Sequence, residues 1–155
     1  MNRTEKEQMI IGNISLLSNK LTQMGDEIFS EITYKQFFML LVISKMELEE
    51  KSINSIAELV GTTRQNVKKT LTHLEAKGYV VIGKSAVDSR ALKIELTDKT
   101  FKFFFDNADA VEQKTNQVFE KFSLDEIESL GSSLEKLMDC LTLQQEWSSD
   151  NEQRN

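Results

Sequence analysis

One stretch, Ser52 to Thr97, constrains the fold more than any other, because its hydrophobic period changes part-way along. Two short runs, Ile53 to Val60 and Arg64 to Glu75, place apolar residues at helical spacing and are joined by a turn at Gly61-Thr62-Thr63. After Gly78 the pattern becomes that of strands. Tyr79 to Ile82 and Ala91 to Leu96 flank the polar segment Gly83 to Arg90.

Helix, turn, helix and hairpin in this order make the plan of a winged helix-turn-helix. On the second helix, Val67, Leu71 and Leu74 share one face and are expected to pack on the first helix, while Gln65, Lys69 and Thr72 lie opposite. Asn66, Lys68 and His73 flank that outer face. Thr62 and Gln65 have the spacing of a capping box for the start of the helix. An outer surface of amides, hydroxyls and ammonium groups suits a DNA major groove, where amides match adenine edges and Lys reaches guanine or phosphate. It suits an ordinary solvated helix equally well.

Charge separates the two readings. From Ser52 to Lys93 there are seven basic residues (Arg64, Lys68, Lys69, Lys77, Lys84, Arg90, Lys93) against three acidic ones (Glu58, Glu75, Asp88), a local balance of +4. The whole chain is formally −6, which leaves −10 on the remainder. A basic island retained in an acidic protein is the electrostatic footprint of nucleic-acid contact.

The segment resembles the MarR family of winged-helix transcriptional regulators. The most specific match is the wing, Asp88-Ser89-Arg90-Ala91-Leu92-Lys93-Ile94-Glu95-Leu96-Thr97, where the family has an Asp-x-Arg at the tip and a strand ending in Leu-Thr. Thr62 to Val67 is similar to the family's recognition-helix start, and Leu74 to Val80 to its exit. The resemblance implies that Arg90 enters the minor groove with Asp88 as its orienting partner, a role that fits an Arg on a narrow hairpin. Two departures stand out. Ser89 replaces a frequent second basic residue, and Thr97 is followed by Asp98-Lys99-Thr100-Phe101 without the glycine common there.

Outside this stretch, 155 residues with 39% apolar content, 28% charged content and no proline suggest one mainly helical domain, an α+β chain with a small β-hairpin wing. The winged region spans about 33–97, flanked by helices over about 4–30 and 98–147. Ile10, Ile14, Leu17, Leu21, Met24 and Ile28 recur at spacings of four and three on the first helix, with Gly25 as a point of fraying or bending. Thr33 and Gln36 mark a second capping box, which opens a helix apolar on several sides. Phe101, Phe104, Phe105, Ala108, Val111, Val118, Phe119 and Phe122 form one broad face of a later helix. Ser123 and Glu126 form a third box, and Ile127, Leu130, Leu134, Leu137 and Leu141 stripe the last helix before a polar tail from Ser148. The two end stripes either pack on each other or join a second copy as a homodimer. The MarR-like layout implies the dimer, which would set two recognition helices in successive major grooves about 34 Å apart.

No enzyme is expected. One His and one Cys supply neither a nucleophile–base pair nor a Cys/His zinc site, the glycines match no phosphate loop, and no cofactor is called for. No apolar run approaches a membrane span, and a single cysteine agrees with a reducing cytoplasm. Cys140 is either an apolar-like interface residue or an oxidant sensor, and Asp139 beside it opposes a reactive thiolate.

The expected partners are therefore double-stranded DNA and a second copy. Thr63, Arg64, Gln65, Asn66, Lys68 and Lys69 are the candidate contacts from the helix, with Lys84 and Arg90 from the wing. The resemblance further implies a small aromatic or amphipathic effector, for which Phe37, Phe38, Phe101, Phe104 and Phe105 offer a lining; the same rings also suit a plain core. The alternative to a DNA-binding repressor is a winged-helix module that works by protein contact.

Overall fold

The computed structural model describes residues 1–47, 51–84 and 92–152. Its elements are α1 (Arg3–Ile28), α2 (Tyr34–Lys45), α3 (Ile53–Val60), α4 (Arg64–Ala76), β1 (Val80–Lys84), β2 (Leu92–Leu96), α5 (Asp98–Phe119) and α6 (Leu124–Glu152). They fall into two compact units, Met1–Val111 and Glu112–Asn155.

The starts of α1 to α4 are each fixed by a side chain. Asn2 caps α1 and Thr33 caps α2, each in a reciprocal box with the residue three positions on. Ser52 and Ser55 do the same for α3. The starts of α2 and α3 and the end of α3 are as the sequence indicates. Helix α4 starts at Arg64 as its run indicates, but its cap is Thr63 and not Thr62, with Thr63 Oγ1 accepting from the Asn66 amide at 3.2 Å. Thr62 and Thr63 are each followed three residues on by an amide side chain, and only the extended backbone at Thr63 decides between them.

Helices α3 and α4 end alike. Gly61 (φ 69°) and Gly78 (φ 77°) take the left-handed conformation that reverses the chain cheaply only for glycine. After α4, the Gly78 amide donates to Glu75 O at 2.8 Å and the Tyr79 amide to Leu74 O at 2.9 Å. Tyr79 is thereby spent on ending the helix, so β1 starts at Val80, one residue later than the apolar run suggests, and continues to Lys84. The strands are antiparallel in the register Val80↔Leu96, Ile82↔Ile94 and Lys84↔Leu92. Val80 and Ile94 point into the core, and Val81 and Glu95 outward.

The core gathers at α2, where Leu40 and Ile43 are fully buried among Ile56, Val67, Leu71, Leu74, Tyr79 and Ile94. Gly25 proves to be a contact rather than a weak point. A Cβ there would stand 2.0 Å from Cδ2 of Tyr34, so the ring packs directly on the helix backbone. The phase of α5 also differs from the expected face. Thr100 is buried and Phe103 packs on Phe29 and Tyr79, with ring centroids 5.5 and 5.4 Å apart, whereas Phe105 is 82% exposed.

In the second unit α5 ends and α6 begins at a corner where Phe119 and Phe122 meet edge to face at 5.6 Å. Ser123 and Glu126 cap α6 reciprocally at 2.8 and 3.3 Å, as their spacing predicts. The α6 backbone stays helical to Glu152, past Ser148 where the polar tail was expected to leave it. No helix among the described residues is long and apolar enough to cross a membrane.

Candidate nucleic-acid interface

Helix α4 carries the surface in question. Val67, Leu71 and Leu74 are fully buried, which turns Arg64, Gln65, Asn66, Lys68, Lys69, Thr72 and His73 outward, all exposed. Thr63 is exposed at the cap and Lys84 is exposed at the end of β1. Arg64, Lys68, Lys69 and Lys84 have no acidic partner among the described residues. Asp88 and Arg90, the wing-tip pair, lie outside the described residues.

The basic island is smaller than the sequence count. Lys77 donates to the carbonyl oxygen of Glu31, and Lys93 pairs with Glu95 at 2.9 Å. That ion pair, led by the hydrogen bond from Lys93, holds the Glu95 carboxyl below the usual carboxylate value of 4.5. Of the described cations in this island, Arg64, Lys68, Lys69 and Lys84 are left without a partner among the described residues, and they face outward from α4 and β1.

A network that sequence spacing gives no hint of holds α4 in place. The Tyr79 hydroxyl donates to Glu31 Oε2 at 2.7 Å, and Lys99 Nζ lies 3.5 Å from the same oxygen and 4.4 Å above the Tyr79 ring. Lys99 also donates to Lys77 O at 3.0 Å, and Thr97 Oγ1 to Gly78 O at 2.7 Å. Thr100 Oγ1 donates to Tyr79 O. The hydrogen bond from Tyr79, then the charge of Lys99, lowers the Glu31 carboxyl from its ordinary value. Burial and the facing carboxylate raise the Tyr79 phenol, so it stays a donor. On the other side of the exit, Glu75 Oε1 accepts from the Ile82 amide at 2.9 Å, latching α4 to β1. The first turn of α5 and the α1–α2 connection are therefore both tied to the point where α4 hands the chain to the wing.

The aromatic residues divide. Phe37 is buried, with Phe104 edge-on at 5.8 Å and Phe29 at 4.4 Å, so these rings form core. Phe38 stacks on Tyr34 and Phe101 meets Phe104 edge-on, yet both are partly in solvent, as Phe105 is almost wholly. Cys140 is exposed on α6. Among the described residues no three His, Cys, Asp or Glu side chains are placed to hold a metal.

A sequence model of the MarR family matches residues 30–91, from before α2 to just short of β2. Over those residues the chain is similar to the MarR family. Solved structures extend the likeness in fold beyond that MarR segment. The transcriptional regulator BldR of Sulfolobus solfataricus is 18% identical, with a TM-score of 0.79 over 90% of this chain and 99% of that one. The MarR-family regulator Sco3205 of Streptomyces coelicolor, solved in complex with DNA, is 18% identical with a TM-score of 0.77 over 91% of each chain. The organohalide-sensing regulator RdhR-CbdbA1625, solved with 2,4-dichlorophenol bound, is 17% identical with a TM-score of 0.73 over 92% of this chain and 86% of that one. At these identities the likeness is one of fold, and it supports the winged helix-turn-helix read from the period changes between Ser52 and Thr97.

Proposed function

We propose that this chain is a DNA-binding transcriptional regulator that acts as a symmetric dimer and represses by occluding a promoter. The observation that carries the reading is the set of four outward cations without acidic partners among the described residues, Arg64, Lys68, Lys69 and Lys84, gathered on α4 and β1 of a chain whose net charge is −6. In this reading the first turns of α4, from Thr63 to Lys69, enter the major groove. Arg64 and Lys68 hold phosphates and Lys69 reaches a base edge. Lys84 and Arg90 fix the wing on the backbone and in the minor groove, with Asp88 orienting Arg90. The dimer forms through the apolar stripes of α1 and α6, which lie open in the single chain: Leu17 is 54% exposed and Leu134 42%. Small aromatic ligands act by shifting the spacing of the two recognition helices, with the part-exposed rings of Phe38, Phe101 and Phe105 available to them, and the phenol-bound relative gives this part its support.

Salt dependence tests the reading against a protein-contact module. Affinity for a mixed-sequence duplex measured by fluorescence anisotropy is expected to fall steeply as salt rises, because each neutralised phosphate releases counterions. Affinity that is absent or independent of salt overturns the proposal in favour of protein contact.

A further inference from the structure

Gln65 and Asn66 are neighbours with the same functional group, and the first turn of α4 uses them differently. Asn66 is tied back into the turn. Its main-chain amide donates to Thr63 Oγ1 at 3.2 Å and its side-chain Nδ2 to Thr62 Oγ1 at 3.3 Å. Whichever end of that amide faces Thr62, the bond there aims the short side chain back at the turn. Gln65 is exposed, and its side-chain amide has no partner among the described residues. It therefore offers one acceptor and one donor side by side on a longer stem.

That pair is the complement of one base edge. In the major groove adenine shows an N6 donor beside an N7 acceptor, guanine shows two acceptors, and a carboxamide matches the first and not the second. The position agrees, since residues in the first turn of a recognition helix are those that reach base edges. The surrounding groups are cations, Arg64 before it and Lys68 and Lys69 one turn on, whose strongest partners are phosphate and guanine. None of them duplicates the adenine pattern.

We infer that Gln65 sets an adenine preference at one position of each half-site, and that Asn66 is a positioning residue which holds the Thr62-Thr63 turn and carries no base preference. This rests on the DNA-binding reading and specifies the sequences it selects.

The test is a set of parallel selections from a random duplex library with the full-length protein, its Gln65→Ala variant and its Asn66→Ala variant, followed by affinities for the wild-type site. The wild type is expected to enrich a site with one A·T pair per half-site that Gln65→Ala alone makes indifferent. The loss of affinity for that site is expected to be about 5- to 150-fold, the range for one good bidentate contact. Asn66→Ala is expected to bind all sites less well while enriching the same sequence. An unchanged A·T preference in Gln65→Ala, or its loss in Asn66→Ala, overturns the inference and leaves DNA binding intact. A wild type that enriches nothing while folded overturns both.

Discussion

The hydroxyl of Tyr79 donates to Glu31 Oε2 at 2.7 Å across 48 positions of sequence, and Lys99 closes the arrangement from the first turn of α5. Tyr79 is the residue at which α4 ends and the wing begins, so the bond fixes the exit angle of the candidate reading helix. The ring is fully buried while the carboxylate stays in solvent.

A pH dependence follows, with a definite sign. Folding lowers the Glu31 pKa through Tyr79 and Lys99, so below the ordinary value of 4.5 the unfolded chain binds the proton more readily. The stability from this carboxylate is present above that value and is lost as pH falls through the lowered folded pKa. Urea unfolding of the wild type and Glu31→Gln should therefore differ at pH 7 and converge in strong acid. Tyr79→Phe should cost about 1 kcal/mol at pH 7, the scale of one net hydrogen bond. A gap between wild type and Glu31→Gln that is constant with pH contradicts the assignment.

Gly25→Ala should destabilise although alanine is the better helix former. The added Cβ would meet Tyr34 carbons at 2.0, 2.3 and 2.7 Å, and the expected loss is about 1 to 3 kcal/mol, as for an overpacked core. Gly12→Ala, with nothing within 4 Å, should instead gain up to about 1 kcal/mol from helix propensity. Thermal melts of the two variants should move in opposite directions, and a stabilised Gly25→Ala would show that the Tyr34 ring is free to leave.

Charge placed in the open stripes should separate the copies. Leu17→Glu on α1 or Leu134→Glu on α6 introduces an ion where apolar side chains lie in solvent in the single chain. Sedimentation is expected to move from dimer to monomer with helical content kept. Dimers that persist in both variants would place the interface elsewhere.

Arg90→Ala should weaken DNA binding with little effect on the unfolding midpoint, an expectation that comes from the Asp-x-Arg resemblance of the wing. Equal affinity of variant and wild type would remove Arg90 from the contact.

What was legible in the sequence was whatever is encoded locally. The limits of α3 and the start of α4 are legible in the apolar runs from Ile53 and Arg64 and the turn at Gly61, and the buried face of α4 in the spacing of Val67, Leu71 and Leu74. Local code is ambiguous where it repeats. The adjacent threonines at 62 and 63 allow two caps, and the aromatic run from Phe101 to Phe105 fits several helical phases, so Phe103 was missed as the ring that packs on Tyr79. Relationships set only by the tertiary fold leave no periodic trace. Glu31 with Tyr79, Lys99 over the same ring, and Tyr34 against Gly25 become visible only once α1, α2 and α5 meet. For the candidate site, the sequence marks which face of α4 is outward but not which cations are already engaged, as Lys77 and Lys93 are.

Two copies of α4 that read DNA together leave their separation in the spacing of the half-sites. Duplexes selected from a random library by the wild-type protein at near-physiological salt should converge on an inverted repeat with half-site centres about 10 base pairs apart, one turn of the double helix. Enrichment of a lone asymmetric half-site, or of nothing by a folded and dimeric protein, would contradict reading by two copies.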